Sequence, residues 1–250
     1  LGVDMKHLAR IADCTEKIGE LRPQQAEELG LVPGIAVYGG GGDATFIGVG
    51  AGATELGDTH IYQGTSGWVS TVTDKSVVDS NTMMAAVVGA EDGIYYYFGE
   101  LETAGKCVEW VKDHLALDEI DIYLDKQHAL KRKTADMEVV YTNLYDYMMA
   151  VVDSIPAGSG GVIFTPWLHG NRCPFEDPNA RGMFFNISLE TGKSQMIRAV
   201  LEGVCYHLRW FLETEEKKVK SSDKVRFVGG GALSDLTCQI LADCTGKVIE

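Results

Sequence analysis

Two short apolar runs that each empty into glycine constrain this chain more than any other feature. Ile35-Ala36-Val37-Tyr38 runs into Gly39-Gly40-Gly41-Gly42 and then a carboxylate, Asp43. Further on, Ile61-Tyr62-Gln63 runs into the polar turn Gly64-Thr65-Ser66-Gly67. A β-rich run ending in glycines is a strand whose end lets another group approach the backbone closely. The first end offers a carboxylate. The second offers a hydroxyl and turn amides, which suit phosphate oxygens. A base beside a phosphate cradle is what phosphoryl transfer requires.

The length of 250 residues allows one large domain or two smaller ones, and 45% hydrophobic with 23% charged residues is ordinary globular composition. A net charge of −14 argues against nucleic acid and against an anionic membrane surface as partners. The six cysteines, at 14, 107, 173, 205, 238 and 244, form no CxxC pair, so no metal ligand is expected. Their scatter fits reduced thiols and a cytoplasmic location. No apolar run approaches the ~18 residues that span a bilayer, and no signal peptide is visible. The chain starts at Leu1 and stops at Glu250, just inside a strand-like run. A piece of a longer protein is the expectation.

Along the chain, residues 4–29 are expected to be helical. Leu8, Ile11 and Ala12 share one face, and a second helix opens at Pro23. Gly48-Val49-Gly50-Ala51-Gly52-Ala53 matches the dinucleotide pattern GxGxxA. That pattern has to follow a strand and open a helix. Here a strand-like run, His60–Gln63, follows too soon, so the glycines are read as close packing. Runs at 60–63, 68–73, 83–88 and 94–98 predict an antiparallel meander with tight turns.

A helix is predicted near 103–115, a charged surface excursion over 118–141 and a second helix over 143–154, whose methionines are read as core filler. A short strand at 162–165 precedes a long loop, 166–182. Its Trp167, Phe175 and prolines 166, 174 and 178 argue for order, and His169 is read as structural. The longest predicted helix runs from Ser194, the expected N-cap, to Glu216. Strand 224–228 then ends in Gly229-Gly230-Gly231-Ala232, Ser234 caps a helix to about Cys244, and Gly246 closes it. A strand, a glycine turn and a helix N-terminus in succession suit a nucleotide. The P-loop lysine is missing.

Taken together, these segments resemble the FGGY carbohydrate kinases. Three stretches carry the resemblance. Gly40-Gly41-Gly42-Asp43-Ala44 is similar to the family's catalytic segment. Tyr62-Gln63-Gly64-Thr65-Ser66-Gly67-Trp68 is similar to its second phosphate turn. Phe227-Val228-Gly229-Gly230-Gly231-Ala232, with Gln239 and Ala242-Asp243 beyond, is similar to its adenosine loop. Gly182-Met183-Phe184, Asn186-Ile187 and then Gln195-Met196, Ala199, Leu201 and Glu202 resemble a fourth signature, with Asn186 where the family usually has glycine. Gly170-Asn171-Arg172 stands where many members read Gly-Glu-Arg.

The resemblance implies an α/β fold of the ribonuclease H-like, actin-like ATPase kind, a mixed sheet flanked by helices. Residues 1–56 would be the tail of a first, sugar-binding lobe, and 57–250 most of a second, nucleotide-binding lobe. It implies ATP with Mg²⁺, and transfer of the γ-phosphoryl group to a ketopentose hydroxyl, D-xylulose above ribulose, gluconate or glycerol. An actin-like ATPase switch without a sugar substrate is the other reading. Asp43 would be the base and touch the sugar. Gly64, Thr65 and Ser66 would bind phosphate, and Gly229, Gly230, Gly231 and Ala232 the nucleotide. Trp68 is read either as a wall of the sugar site or as plain strand core. A homodimer is left open.

Overall fold

The computed structural model describes residues 2, 4–116 and 144–250. The predicted excursion at 118–141 therefore lies wholly outside the described residues, as does the first residue of the helix predicted from 143.

A seven-stranded mixed sheet organises the fold. Its strands are β3 (Thr59–Gln63), β4 (Gly67–Thr73), β5 (Val78–Asp79), β6 (Met84–Val88), β7 (Tyr95–Leu101), β10 (Lys224–Val228) and β11 (Val248–Ile249). Their order across the sheet is β11-β10-β3-β4-β7-β6-β5. The meander strands pair antiparallel, while β10 lies parallel to both β3 and β11. The predicted meander is thus present, with a short extra edge strand.

Alternation along these strands gives the sheet two faces. Ile61, Val69 and Leu101 point to one face and are fully buried against Leu208 and Phe211. Those two residues lie on the longest helix, α5 (Lys193–Glu215). The other helices of this side are α3 (Gly105–Val111), which runs into a π-turn over Lys112–Ala116, α4 (Leu144–Asp153) and α6 (Asp235–Thr245). On α5 the N-cap is Gly192 rather than Ser194: its N–H donates to the Gln195 side chain at 3.0 Å, one arm of a capping box. Ser234 does cap α6, accepting from the Thr237 N–H, and Gly246 closes it at φ +69°.

The opposite face carries His60, Tyr62, Trp68, Ser70, Tyr96 and Glu100, and it is covered by the start of the chain. Helix α2 (Asp43–Gly50) rests there at Gly48, where any Cβ would collide with His60 and Tyr96. Of the GxGxxA glycines, Gly48 is therefore the packing glycine, while a Cβ at Gly50 would meet nothing within 4 Å and Gly52 turns the chain at φ +78°. Before α2, the expected long N-terminal helix is absent. A single 3-10 turn spans Met5–His7, and Ile11 is 90% exposed, so its predicted apolar stripe has nothing to pack on. β1 (Lys17–Glu20) instead pairs antiparallel with β2 (Ala36–Tyr38) around the short α1 (Pro23–Leu29), which does open on Pro23.

The 166–182 loop is ordered by one buried imidazole. Trp167 Nε1–H donates to His207 Nδ1 at 3.3 Å, and His207 Nε2–H donates to the Cys173 carbonyl at 2.9 Å. Burial pushes His207 down to about 4, so it stays neutral. Asn171 Nδ2 donates to the carbonyls of Cys173 and Phe175. The ends of the loop are clamped by β8 (Ile163–Thr165) pairing with β9 (Met183–Phe185), a strand the sequence reading left out. Just after β9, Asn186 takes φ +65°, the left-handed region that asparagine tolerates, and its amide donates to the Gly161 carbonyl at 3.1 Å.

Candidate active-site cleft

The turn that ends β3 is held from below by the start of α3. Gly105 N–H donates to the Gly64 carbonyl at 2.7 Å, and the N–H groups of Ala104 and Lys106 both donate to the Thr65 carbonyl at 3.1 Å. A side chain at Gly105 would strike that same Gly64 carbonyl, so glycine is obligatory there. Gly64 N–H turns back onto Ser66 O at 3.0 Å. The amides of Thr65 and Ser66 donate to no carbonyl among the described residues, and Thr65 is exposed. The carbonyls of this turn are thus anchored to the start of α3, which leaves the Thr65 and Ser66 amides able to donate to another group.

The second glycine turn lies against the first. Gly229, at φ +98°, passes so close to Gln63 that any Cβ would meet its carbonyl, and a Cβ at Gly231 would meet its side chain. Gln63 is 3% exposed, and its Oε1 has no hydrogen-bond partner. Between the two turns opens a cleft of about 480 Å³. Gln63, Gly64, Thr65, Gly230 and Gly231 line it, so two stretches far apart in sequence meet in one place. Gly105, Lys106, Glu109, Tyr145, Met149, Leu201, Ser234 and Thr237 complete much of the lining.

Sequence reasoning assigned none of those last residues to the site. Gly105 opening a helix directly after a strand was the one available signal. Met149 is half-buried and lines the cleft as well as packing on the core, so its role exceeds filler. Ser66, Gly229 and Ala232 stand in the two turns but outside the lining itself.

Asp43 and Trp68 sit on the other side of the sheet. Asp43 is the first residue of α2 and is exposed, with its Oδ1 accepting from Ala44 N–H at 2.8 Å. Trp68 is 5% exposed, stacked on Tyr62 at 4.0 Å, and its Nε1–H donates to His60 Nε2 at 3.0 Å. Burial lowers His60 to about 4, which keeps that acceptor neutral. The proton of His60 then sits on Nδ1, which has no partner. In the same row across the sheet stands Glu100, bound by Arg172 at 2.7 Å. Burial raises the Glu100 carboxyl, with Glu102 and Asp43 adding to the rise and Arg172 opposing it. Asp43, Glu100 and Arg172 therefore form one electrostatic neighbourhood. The Gly64–Ser66 turn lies at the strand ends, where the two faces meet.

The lining thus presents two glycine turns, the backbone of Thr65 and a buried acceptor without a partner, Gln63 Oε1. Among the described residues, no group of three or more His, Cys, Asp or Glu side chains could hold a metal. Also among the described residues, no helix is long and apolar enough to cross a membrane, and the six cysteines are free thiols.

Comparison with known proteins places this geometry. The chain is 28% identical over 243 residues to a gluconokinase of Bacillus subtilis, matching 97% of this chain and 44% of that protein. It is 25% identical, with the same coverage, to a xylulose kinase of the same organism. The chain thus spans less than half the length of these relatives. The crystal structure of a ligand-bound xylulose kinase from Lactobacillus acidophilus superposes with a TM-score of 0.80 at 24% identity, over 99% of this chain and 45% of that one. The fold is therefore the actin-like one, a mixed sheet flanked by helices. Residues 60–250 match the C-terminal domain of the FGGY family of carbohydrate kinases, and the chain belongs to that family.

Proposed function

We propose that the chain supplies the nucleotide-binding lobe of an ATP-dependent sugar kinase, acting on a ketopentose and most specifically converting D-xylulose to D-xylulose 5-phosphate in the cytoplasm. The observation that carries this reading is the joining of the Gly64–Thr65 and Gly230–Gly231 turns in one cleft. Residues 57–250 form the second lobe in this reading. Residues 1–56, which cover the opposite sheet face, are the tail of a first lobe that holds most of the sugar. Turnover belongs to a protein carrying both lobes, because the relatives are more than twice as long. Gluconate, ribulose and glycerol are the competing acceptors.

Magnesium-ATP brings the transferable phosphoryl group and a cation that neutralises its charge. Thr65 and Ser66 amides hold phosphate oxygens, and the Gly229–Ala232 turn faces the adenosine. Asp43 accepts the proton of the attacking sugar hydroxyl. Trp68, locked onto Tyr62 and His60, backs the sugar face and keeps its floor apolar and fixed.

A coupled ADP-release assay tests this on the two-lobed protein, with D-xylulose, L-ribulose, gluconate and glycerol each offered beside magnesium-ATP. Turnover dependent on D-xylulose supports the reading in full. Dependence on another acceptor moves the substrate and keeps the kinase. ADP release indifferent to every sugar would replace it with an ATPase switch.

A further inference from the structure

The cleft is short of positive charge for a ligand of this kind. Of the described residues that line it, Lys106 is the one cation, beside the carboxylates Glu109 and Asp146. The backbone N–H of Lys106, like that of Ala104, is bonded to the Thr65 carbonyl, so its Cα is anchored directly beside the phosphate turn. Its ammonium is turned along the helix to Glu109, 2.7 Å away, and both side chains are substantially exposed. An exposed i,i+3 pair of this kind is weak and opens easily.

We propose that Lys106 is a phosphate-binding residue held in reserve by Glu109: on nucleotide entry its ammonium leaves Glu109 and pairs with the polyphosphate lying on the Thr65–Ser66 amides. The proposal rests on reading this cleft as the nucleotide site. The four-carbon stem rises from a backbone fixed to the same turn that would hold the phosphates, which puts the ammonium within reach of them. Gly105, pinned under Gly64, fixes where that stem begins. Lys106 then supplies charge and Glu109 sets its availability, so the two substitutions should move affinity in opposite directions.

Calorimetric titration of the chain with ATP, ADP and adenosine tests this. Lys106→Met should weaken ATP and ADP by ~tenfold or more, the size of one charge-assisted contact, and leave adenosine unchanged. Lys106→Arg should retain most of the affinity. Glu109→Gln should tighten ADP several-fold. The wild-type affinity for ADP should also fall more steeply with added salt than that of Lys106→Met. Equal ADP affinity in wild type and Lys106→Met would overturn the proposal while leaving the nucleotide site standing. A wild-type chain that binds none of the three ligands would overturn the nucleotide reading itself, and the proposal with it.

Discussion

The two faces of the central sheet are drawn from the same strands by simple alternation, yet they are built differently. The helix face has an apolar centre, in which Ile61, Val69, Leu101, Leu208 and Phe211 are fully buried in one cluster, beside the buried and unpartnered Tyr97 hydroxyl and Glu215 Oε1. The opposite face carries more polar side chains, and it too has buried atoms without partners, Ser70 Oγ and His60 Nδ1. Its cover is slight, and residues of that cover such as Tyr38, Phe46 and Leu56 remain exposed. The large apolar cluster lies on one side and Asp43 and Trp68 on the other, with the Gly64–Ser66 turn between them. A buried polar group without a partner costs free energy on either face, and the apolar cluster of the helix face has to offset both.

The largest test of that division is Asp43→Asn in the two-lobed protein. Removing a general base should lower kcat by ~10²–10⁴ with sugar affinity largely kept; near-normal turnover would remove Asp43 from the chemistry. On the helix face, Phe211→Ala should cost ~3–5 kcal/mol in urea unfolding, since it empties a fully buried ring site. A loss below 1 kcal/mol would show that this face does not dominate stability.

The acid response draws on both faces. His60 and His207 lie near 4 in the fold against 6.5 for the free side chain, so the unfolded chain binds more protons between those values. Their contribution is complete above pH 6.5 and is lost as pH falls toward 4, at ~1.4 kcal/mol per pH unit for each fully titrating imidazole. Urea midpoints measured across this window should fall, and a flat profile would mean the rings are not withdrawn from water. Trp68→Phe should cost ~1–3 kcal/mol by leaving His60 Nε2 unpaired. No change there would free Trp68 from its structural role. The smallest effect is expected from Thr65→Val, a rise of ~3–10-fold in the Michaelis constant for ATP from one lost hydroxyl contact.

Much of this was legible in the residues. Strand ends marked by glycine, the meander, the capped helix from Ser234 and the two turns now sharing a cleft are local or two-residue-periodic signals, and such signals survive folding unchanged. The misreadings came where local preference met no partner. Leu8, Ile11 and Ala12 have helical spacing, but a stripe without a surface to bury on does not hold a helix, and Lys17–Glu20 found a strand partner instead. Ser194 is a good capping residue in isolation, yet Gly192 with Gln195 took the position two residues earlier.

The sequence by itself determined where the glycine turns fall and which segments form the meander and the later helices, because those properties depend on neighbours along the chain. Only the tertiary structure decided that Gly230 faces Thr65, that Lys106 stands over the same cleft, and that Trp68 and Asp43 lie across the sheet from it. Those relations depend on strand order and on which face each residue presents, and parallel pairing of β10 with β3 joins segments more than a hundred and fifty residues apart. Nothing in the local sequence encodes that distance.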